Sequence, residues 1–218
     1  MLIAIVGNIG TGKTTLVRTL SNFFPEVRFI EECRSDFLDE IYQNQEFFFQ
    51  NQVHYYLQCL DACLDAAAGS FVIQDRCVMD MHGVFSNRLY QSGLLGDKEL
   101  SLLESLKVRI NKISRVDCYI YIYGDAEVLL KRIRLRAVRE EKGIDLEMIQ
   151  DVGVRYKEWY SQEKTVKDLI INSNNLDTSA AFEIASTWLK NQLVLHKQSR
   201  EIGCDIAVNN LVGADQQS

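Results

Sequence analysis

The stretch GNIGTGKTT, residues 7–15, follows the apolar run LIAIV and precedes TTLVRTLSNFF, which has the pattern of a helix. Its three glycines within six residues are more than an ordinary surface turn requires. A loop of this composition turns successive backbone N–H groups inward and forms a cradle for anions. The order strand, glycine-rich loop and helix therefore predicts an α/β fold built around a phosphate-binding loop.

The pattern G-x-x-x-x-G-K-[ST] matches at Gly7, Gly12, Lys13 and Thr14. Lys13 is predicted to bridge the outer phosphates of a nucleoside triphosphate, and the Thr14 hydroxyl to bind Mg²⁺. The sequence thus predicts ATP, or another nucleoside triphosphate, together with Mg²⁺ as cofactors. All residues of the loop are candidates for contacts to the triphosphate: Gly7, Asn8, Ile9, Gly10, Thr11, Gly12, Lys13, Thr14 and Thr15.

Length and charge limit the organisation of the chain and its partners. The 218 residues suit one α/β domain, predicted over 1–196, followed by a loosely ordered tail over 197–218. A docking or oligomerisation segment is the alternative for that tail. The formal net charge of −6 argues against a nucleic-acid polymer as partner, because binding to a phosphate backbone needs a basic surface.

Cysteine usage and hydropathy bear on location. The six cysteines show no C-x-x-C pair and there are only three histidines, so the sequence predicts no zinc site. Reduced, mostly buried thiols are typical of a reducing compartment. The apolar run before the glycine-rich loop, residues 2–6, is too short to span a membrane. A cytoplasmic protein without a membrane segment is expected.

Apolar runs alternate with helical periodicity along the chain, which predicts a doubly wound five-stranded parallel sheet with helices on both faces. The predicted strands are LIAIVG (2–7), VRFIEE (27–32), SFVIQD (70–75), VDCYIYIYG (116–124) and DLIINS (168–173). After the helix that follows the glycine-rich loop, further helices are predicted over 34–43, 46–67, 78–92, 97–112, 126–138, 146–163 and 178–195.

Polar residues cluster where two of these strands end. Glu31 and Glu32 end the second strand, and the third strand ends in Gln74, Asp75 and Arg76. Ligands of open α/β sheets bind at the carboxyl ends of the strands. No N-K-x-D stretch of a GTPase is present, and the chain is too short for a motor. A small kinase that holds its acceptor beside the phosphate loop is therefore predicted.

An arginine-rich segment, LLKRIRLRAVREEKGI over 129–144, predicts a lid. Arg132 and Arg136 are four residues apart on one helix face, and Arg139 follows. Such a lid stabilises the charge of the transferred phosphoryl group and excludes water, which would otherwise accept it.

These features together resemble the deoxyribonucleoside kinase family over about residues 1–165. The resemblance implies transfer of the γ-phosphoryl group of ATP to the 5′-hydroxyl of a deoxyribonucleoside, and a homodimer formed through 78–92 and 97–112. It is carried, in family order, by GNIGTGKTT, Glu31, the F-x-x-Q of 49–52, DRCVMD (75–80), FSNRLY (85–90), RIRLRAVREEKGIDLE (132–147) and EWY (158–160).

The resemblance implies roles for individual residues. Asp75 matches the catalytic acid that takes the proton of the 5′-hydroxyl, and it is expected to share Mg²⁺ with Thr14. Arg76 would orient that acid and contact the 5′ region. Glu31 matches a glutamate near the 5′-hydroxyl, although Glu32 stands where the family has proline. With Lys13, the lid arginines Arg132 and Arg136 complete the catalytic set, and Arg139 replaces a family arginine where Val138 stands.

The resemblance also implies contacts to the nucleoside. Gln52 matches the glutamine that reads the base edge, and Phe85 the aromatic residue on which the base stacks. Tyr42 and Glu141 match the pair that binds the 3′-hydroxyl. Cys59 and Met81 stand where family members selective for deoxycytidine or purines have arginine and aspartate. An uncharged base pocket that includes Met81 slightly favours pyrimidine nucleosides, and Asp80 is a possible substitute for the missing aspartate.

Two other functions fit the same motifs. A nucleoside monophosphate kinase of the thymidylate kinase type shares the loop and the lid, and Arg76 would then bind the acceptor phosphate. A catalytically inactive, nucleotide-binding partner subunit would keep the fold without turnover, although an intact Lys13 and Asp75 argue against it.

Overall fold

The computed structural model describes residues 1–33, 46–136 and 143–214, with side chains as far as residue 199. The predicted helix over 34–43 and three predicted site residues, Tyr42, Arg139 and Glu141, lie outside these ranges. The same holds for the end of the lid helix after residue 136.

Five strands form one parallel sheet, as the alternation of apolar runs predicts. Their order across the sheet is β2-β3-β1-β4-β5, so the strand before the phosphate loop lies in the middle. Each strand equals or is shorter than its predicted run, and the remaining residues of the runs belong to the connecting loops. The bounds are β1 Leu2–Gly7, β2 Arg28–Ile30, β3 Val72–Asp75, β4 Cys118–Tyr123 and β5 Leu169–Asn172.

Helices connect the strands and cover both faces of the sheet, which confirms the predicted fold class. The bounds are α1 Lys13–Ser21, α2 Phe48–Ala67, α3 Val78–Asp80, a π-helix over Met81–Ser86, α4 Asn87–Gln91, α5 Asp97–Ile113, α6 Ala126–Arg136, α7 Leu146–Glu163 and α8 Thr178–Ala214.

The core follows from the alternation of side chains along the central strand. Every residue from Leu2 to Val6 is fully buried. Ile3 and Ile5 pack toward α1 and α8. Leu2 packs with α2 and α5, whereas Ala4 and Val6 pack with α7. A strand buried on both faces needs a continuous apolar run, and LIAIV supplies it.

Two helices differ from their predicted form. The predicted helix over 78–92 is interrupted by the π-helix, where Gly83 lets α7 approach closely: a β-carbon there would lie 2.4 Å from Cδ1 of Trp159. The last helix continues to Ala214 rather than ending at residue 195, so the backbone over 197–214 is helical. No proline follows Pro25 in the chain, so no residue imposes an earlier end. The division into a domain and a tail stays a prediction.

None of the described helices is both long enough and apolar enough to cross a bilayer.

Candidate active site

The phosphate loop joins β1 to α1 with glycines in conformations that other residues rarely adopt. Gly7, Gly10 and Gly12 have φ angles of 147°, 82° and 96°. A β-carbon on Gly7 would lie 2.0 Å from the Ile122 carbonyl oxygen of β4, and one on Gly10 would lie 3.0 Å from the Leu129 carbonyl oxygen of α6. The loop therefore packs closely against β4 and α6. Side chains in place of Gly7 and Gly10 would push the loop away from these two elements.

Polar contacts hold this loop in shape without a ligand. The Asn8 Nδ2 donates to the Ile149 carbonyl of α7 at 2.8 Å, and its Oδ1 accepts from the Ile9 amide at 2.7 Å. The Thr11 hydroxyl donates to the Asn8 carbonyl at 2.9 Å. Because these bonds preset the backbone, little ordering remains to be done when an anion binds.

Lys13 begins α1 with its side chain folded back over the loop. Its ammonium donates to the carbonyl oxygens of Gly7 at 2.8 Å and Asn8 at 2.9 Å, and the residue is buried. Burial, helped by the positive charge of Arg76, lowers the pKa of Lys13 to about 8. Among the described residues, its hydrogen bonds go to two carbonyl oxygens, and a buried ammonium of this kind favours an anion beside it. The contact to the outer phosphates itself stays a prediction.

Asp75 lies at the end of β3, directly beside the phosphate loop. Its Oδ2 accepts a hydrogen bond of 2.6 Å from the Thr14 hydroxyl. Its Oδ1 is buried and has no hydrogen-bond partner among the described residues. Burial raises the pKa of this carboxyl, while Lys13 opposes the shift. The structure thus brings together Lys13, Thr14 and Asp75, which the sequence assigns to one site.

Arg76 follows with a backbone φ of 72°, a left-handed conformation that is uncommon for a residue with a β-carbon. Its guanidinium is buried among acidic and aromatic groups. Nε pairs with the Glu32 carboxylate, Nη1 donates to the Tyr156 hydroxyl at 2.7 Å, and Nη1 lies 3.7 Å from Oδ2 of Asp80. The Tyr156 hydroxyl in turn donates to Asp80 at 2.7 Å. These contacts fix the direction of Arg76 and stabilise the unusual backbone.

The two glutamates after β2 have different surroundings. Glu31, the predicted contact to the 5′ region, pairs with Nε of Arg18 at 2.8 Å, and 38% of its side chain is exposed. Glu32 pairs instead with Arg76, and 25% of its side chain is exposed. The pairing with Arg76 favours Glu32 for the acceptor site, and Glu31 as the contact to the 5′-hydroxyl stays a prediction.

A small cavity, of about 10 Å³, lies between β2, β3 and α2, and both glutamates border it. Glu32, Asp75 and Arg76 make it polar on one side, and Tyr55, Cys59 and Met81 make the other side less polar. Cys59 and Met81, which stand where family members selective for deoxycytidine or purines have arginine and aspartate, therefore line the same cavity. Asp80 does not replace the missing aspartate, since it is fully buried and also accepts from the Cys77 amide at 2.6 Å.

The two residues predicted to contact the base lie on α2 and the π-helix. Gln52 is buried, and its Oε1 accepts a 2.9 Å hydrogen bond from the Ser86 hydroxyl. The ring of Phe85 has the Arg76 guanidinium carbon 4.6 Å from its centroid and Tyr156 edge-on at 6.0 Å between centroids. Arg76 therefore covers one face of Phe85, and stacking of a base on this ring stays a prediction.

A second cavity, of about 400 Å³, lies on the other side of the phosphate loop and is large enough for part of a nucleotide. Gly10, Gly12, Arg132 and Arg136 are among its lining residues. Arg132 is anchored at the end of β5, where Nη1 donates to the Ser173 hydroxyl at 3.2 Å and Nη2 to the Ser173 carbonyl at 2.5 Å. The lid arginines are thus placed beside the phosphate loop.

This arrangement can support phosphoryl transfer. The glycine-rich loop, with Lys13, Arg132 and Arg136, lies between the two cavities. At their boundary the Asp75 carboxylate is hydrogen-bonded to the Thr14 hydroxyl, and both groups offer oxygen atoms to a cation. Phosphoryl transfer depends on positioning and charge neutralisation more than on covalent chemistry of the protein.

Comparison with known proteins agrees with this chemistry. A family model described as deoxynucleoside kinase matches residues 3–194. The deoxyadenosine/deoxycytidine kinase of Bacillus subtilis (strain 168) is 26% identical over 167 residues, which cover 73% of this chain and 76% of that protein. The deoxyadenosine kinase of Dictyostelium discoideum is 31% identical over 164 residues, 72% of this chain and 65% of that protein.

Solved structures share the fold. A deoxyadenosine kinase from M. mycoides with bound dCTP superposes with a TM-score of 0.70 at 21% identity, covering 88% of this chain and 100% of that chain. The same enzyme with products dCMP and a flexible dCDP gives 0.73 at 20% identity, with the same coverage of both chains. Because the matching family model spans both cavities and the phosphate loop between them, the chain belongs to the deoxynucleoside kinase family.

Proposed function

We propose that this enzyme transfers the γ-phosphoryl group of ATP to the 5′-hydroxyl of a deoxyribonucleoside. The observation that carries the proposal is the end of β3. There Asp75 is bonded to Thr14 of the phosphate loop, and the next residue, Arg76, is bonded to Glu32 in the acceptor cavity. One short segment therefore contacts both the donor and the acceptor sites, as an in-line transfer requires.

Mg²⁺ fits the residues at this boundary. The described residues contain no cluster of three or more acidic, histidine or cysteine ligands. Magnesium, however, keeps most of its coordination for water and phosphate oxygens and needs only one or two protein ligands. The Thr14 hydroxyl and the orphaned Oδ1 of Asp75 are the oxygens that would hold it. The ion would neutralise charge on the phosphates.

The residues of the chain itself orient the reactants. Lys13 would leave the loop carbonyls for the outer phosphates, and Arg132 and Arg136 would bind the transferred group from the lid. Arg76 would hold the 5′ end of the nucleoside. Glu32 is the carboxylate paired with Arg76, so it would accept the hydrogen bond of the 5′-hydroxyl. Asp75 would take part in the proton transfer or bind the metal ion. We also propose Gln52 and Phe85 as contacts to the base.

The acceptor cavity supports a nucleoside rather than a nucleoside monophosphate. A monophosphate kinase needs an unpaired cation for the acceptor phosphate. Arg76 is instead surrounded by Glu32, Asp80 and Tyr156, and the two carboxylates would repel a phosphate. Cys59 and Met81 leave the base end uncharged, and the slight preference for pyrimidines stays a prediction. The buried, reduced thiols also support the proposed cytoplasmic location.

A substrate panel tests this function. Incubation with ATP, Mg²⁺ and each of the four deoxynucleosides should give the 5′-monophosphate of at least one, detected by chromatography. Thymidine monophosphate should not be converted to the diphosphate. Turnover of the monophosphate alone would support the thymidylate kinase alternative, and no nucleoside-dependent ADP release in any arm would support an inactive subunit.

The adjacent glutamates provide a matched pair of variants. Glu32→Gln should lower kcat by at least ~10²-fold, the lower end for loss of a general acid–base group. Glu31→Gln removes a partly exposed ion pair with Arg18 and should change kcat by less than about threefold. A larger loss in Glu31→Gln than in Glu32→Gln would restore the assignment made from the sequence.

The lowered pKa of Lys13 predicts a pH limit on ATP use. Below its pKa of about 8 the ammonium is charged and attracts the triphosphate, and above that pH the charge is lost. Because kcat/KM reports ionisations of the free enzyme, kcat/KM for ATP should fall above pH 8, approaching tenfold per pH unit. Lys13→Arg should be less active but lack this limb, since guanidinium stays charged. An alkaline limb retained in Lys13→Arg would assign it to another group.

We propose further that the enzyme is a homodimer, with α5 in the interface. Leu102 and Ile113 are eleven residues apart on one face of α5 and are 56% and 39% exposed, so an interface on this face would bury both side chains. Analytical ultracentrifugation should show a dimer for the unaltered chain and a monomer for Leu102→Asp. Leu195→Asp on α8, at a residue that is 53% exposed, should remain dimeric. A monomeric unaltered chain would contradict the proposal.

A further inference from the structure

A buried row of hydrogen bonds connects Gln52 to the protein surface. The Ser86 hydroxyl lies 2.9 Å from Oε1 of Gln52 and 3.0 Å from the Tyr56 hydroxyl. The Tyr56 hydroxyl lies 2.9 Å from Nδ1 of His82. Nε2 of His82 lies 2.7 Å from the Glu104 carboxylate, whose side chain is 46% exposed. A residue proposed to read the base is thus linked through Ser86 and Tyr56 to the pair of His82 and Glu104, whose glutamate reaches the surface.

Counting protons along this row fixes its direction. Ser86 and Tyr56 each carry one hydroxyl proton, and burial raises the pKa of Tyr56, which therefore stays protonated. Two hydroxyl protons cannot serve three contacts, so the third proton must come from one end of the row. If Oε1 of Gln52 faces Ser86, that end must be Nδ1 of His82. A longer contact of 3.3 Å from Ser86 to the Met81 carbonyl competes for the same proton and supplies none.

The other ring nitrogen of His82 is also occupied. Glu104 carries a carboxylate that accepts hydrogen bonds, and Lys107 lies 2.7 Å from the same oxygen. Nε2 therefore carries a proton in either charge state of the ring. With Oε1 of Gln52 toward Ser86, both nitrogens of His82 are protonated and the ring is an imidazolium. With neutral His82, Nδ1 accepts from Tyr56, Tyr56 accepts from Ser86, and Ser86 must accept from the amide nitrogen of Gln52.

We propose that His82 is a specificity-determining residue, whose charge sets which end of the Gln52 amide faces the base. A half-turn of the amide exchanges its oxygen and nitrogen in almost the same space. When His82 is charged, the amide nitrogen is the end left for the base and donates to an acceptor such as an exocyclic oxygen. When His82 is neutral, the amide oxygen is left and accepts from an exocyclic amino group. This inference rests on the proposed nucleoside kinase function.

The charges around His82 determine the pH at which the donor–acceptor direction of the hydrogen bonds along the row reverses. Burial and the Lys107 ammonium lower the pKa of His82, and Glu104 opposes them. Three charged groups on other helices that pack on the π-helix have partners of their own. On α4 and α7, Arg88 and Arg155 both pair with Asp151, and on α3 Asp80 faces Arg76 and Tyr156. The neutral form therefore prevails at neutral pH, and the imidazolium forms at mildly acidic pH.

Nitrogen NMR tests the proton count without catalysis. The chain has three histidines, so ¹⁵N-histidine labelling gives few signals. His82 should be the Nε2–H tautomer at neutral pH and doubly protonated at acidic pH. The side-chain amide signals of Gln52 should change with the same midpoint. In Tyr56→Phe and in the smaller change Ser86→Ala, His82 should still titrate while Gln52 no longer responds. An Nδ1–H tautomer at neutral pH, or a Gln52 response that survives in both variants, would overturn the proposal.

Kinetics with a matched pair of nucleosides tests the effect on specificity. Deoxycytidine and deoxyuridine are nearly equal in size and differ in an amino versus an oxo group at the base edge. Deoxyadenosine and deoxyinosine form the same pair among purines. The ratio of kcat/KM for the amino over the oxo nucleoside should rise about tenfold between about pH 5 and 8, with the midpoint of the His82 titration. Taking a ratio cancels ionisations that act on both substrates alike.

Variants separate this proposal from the proposed function. The ratio should not depend on pH in Tyr56→Phe and Ser86→Ala, whereas His196→Gln, on α8 against Phe71, should keep the unaltered profile. A ratio that is flat or falls with pH in the unaltered chain would overturn the role of His82. If no deoxynucleoside is phosphorylated, the proposed function fails, and the NMR titration then decides for or against the proton row by itself.

Discussion

The site depends on one short hydrogen bond, 2.6 Å long, from the Thr14 hydroxyl to the Asp75 carboxylate. It joins the first turn of α1 to the end of β3. Thr14 follows the phosphate loop after β1, and Asp75 ends the neighbouring strand β3. Parallel pairing of these strands, with Ile5 opposite Asp75, brings the two residues to the same edge of the sheet. The sheet register therefore sets the distance between the anion site and the acceptor site.

Buried charge on the acceptor side is compensated locally. Arg76 could not remain buried in a left-handed backbone conformation without the acidic groups that contact its guanidinium. Glu32 and Asp80 supply opposite charge, and Tyr156 joins Arg76 to Asp80 through one hydroxyl. The same cluster makes the cavity unfavourable for an incoming phosphate, so the compensation that permits burial also selects an uncharged acceptor.

The sequence predicts most of the fold, because local patterns determine it. Alternating apolar runs and helical periodicity yield the five parallel strands, and α7 has the predicted bounds of 146 and 163. The phosphate-loop motif places Lys13 and Thr14, and the polar strand end places Asp75 and Arg76. Contacts between distant segments are not contained in such patterns. The π-helix over Met81–Ser86 depends on close packing of Gly83 against Trp159, and periodicity reads it as an ordinary helix.

Side-chain choice at the site was harder to predict for the same reason. Glu31 and Glu32 are chemically identical, and only the direction of the chain after β2 decides which of them meets Arg76. Tyr156 lies on a helix remote in sequence, and an isolated tyrosine in a helical pattern indicates packing rather than a role in a site. His82 gave no signal, because its neighbours Tyr56 and Glu104 come from two other helices.

Helix α7 contacts both halves of the site, the phosphate loop and the acceptor side at Arg76. The Ile149 carbonyl accepts from Asn8 of the phosphate loop, and the Tyr156 hydroxyl, seven residues later, accepts from Arg76. At 1.5 Å per residue these two attachment points are ~10 Å apart along the helix axis. A substitution that displaces α7 would disturb a contact of the phosphate loop and a contact of Arg76 at once, so it should change the binding of donor and acceptor together.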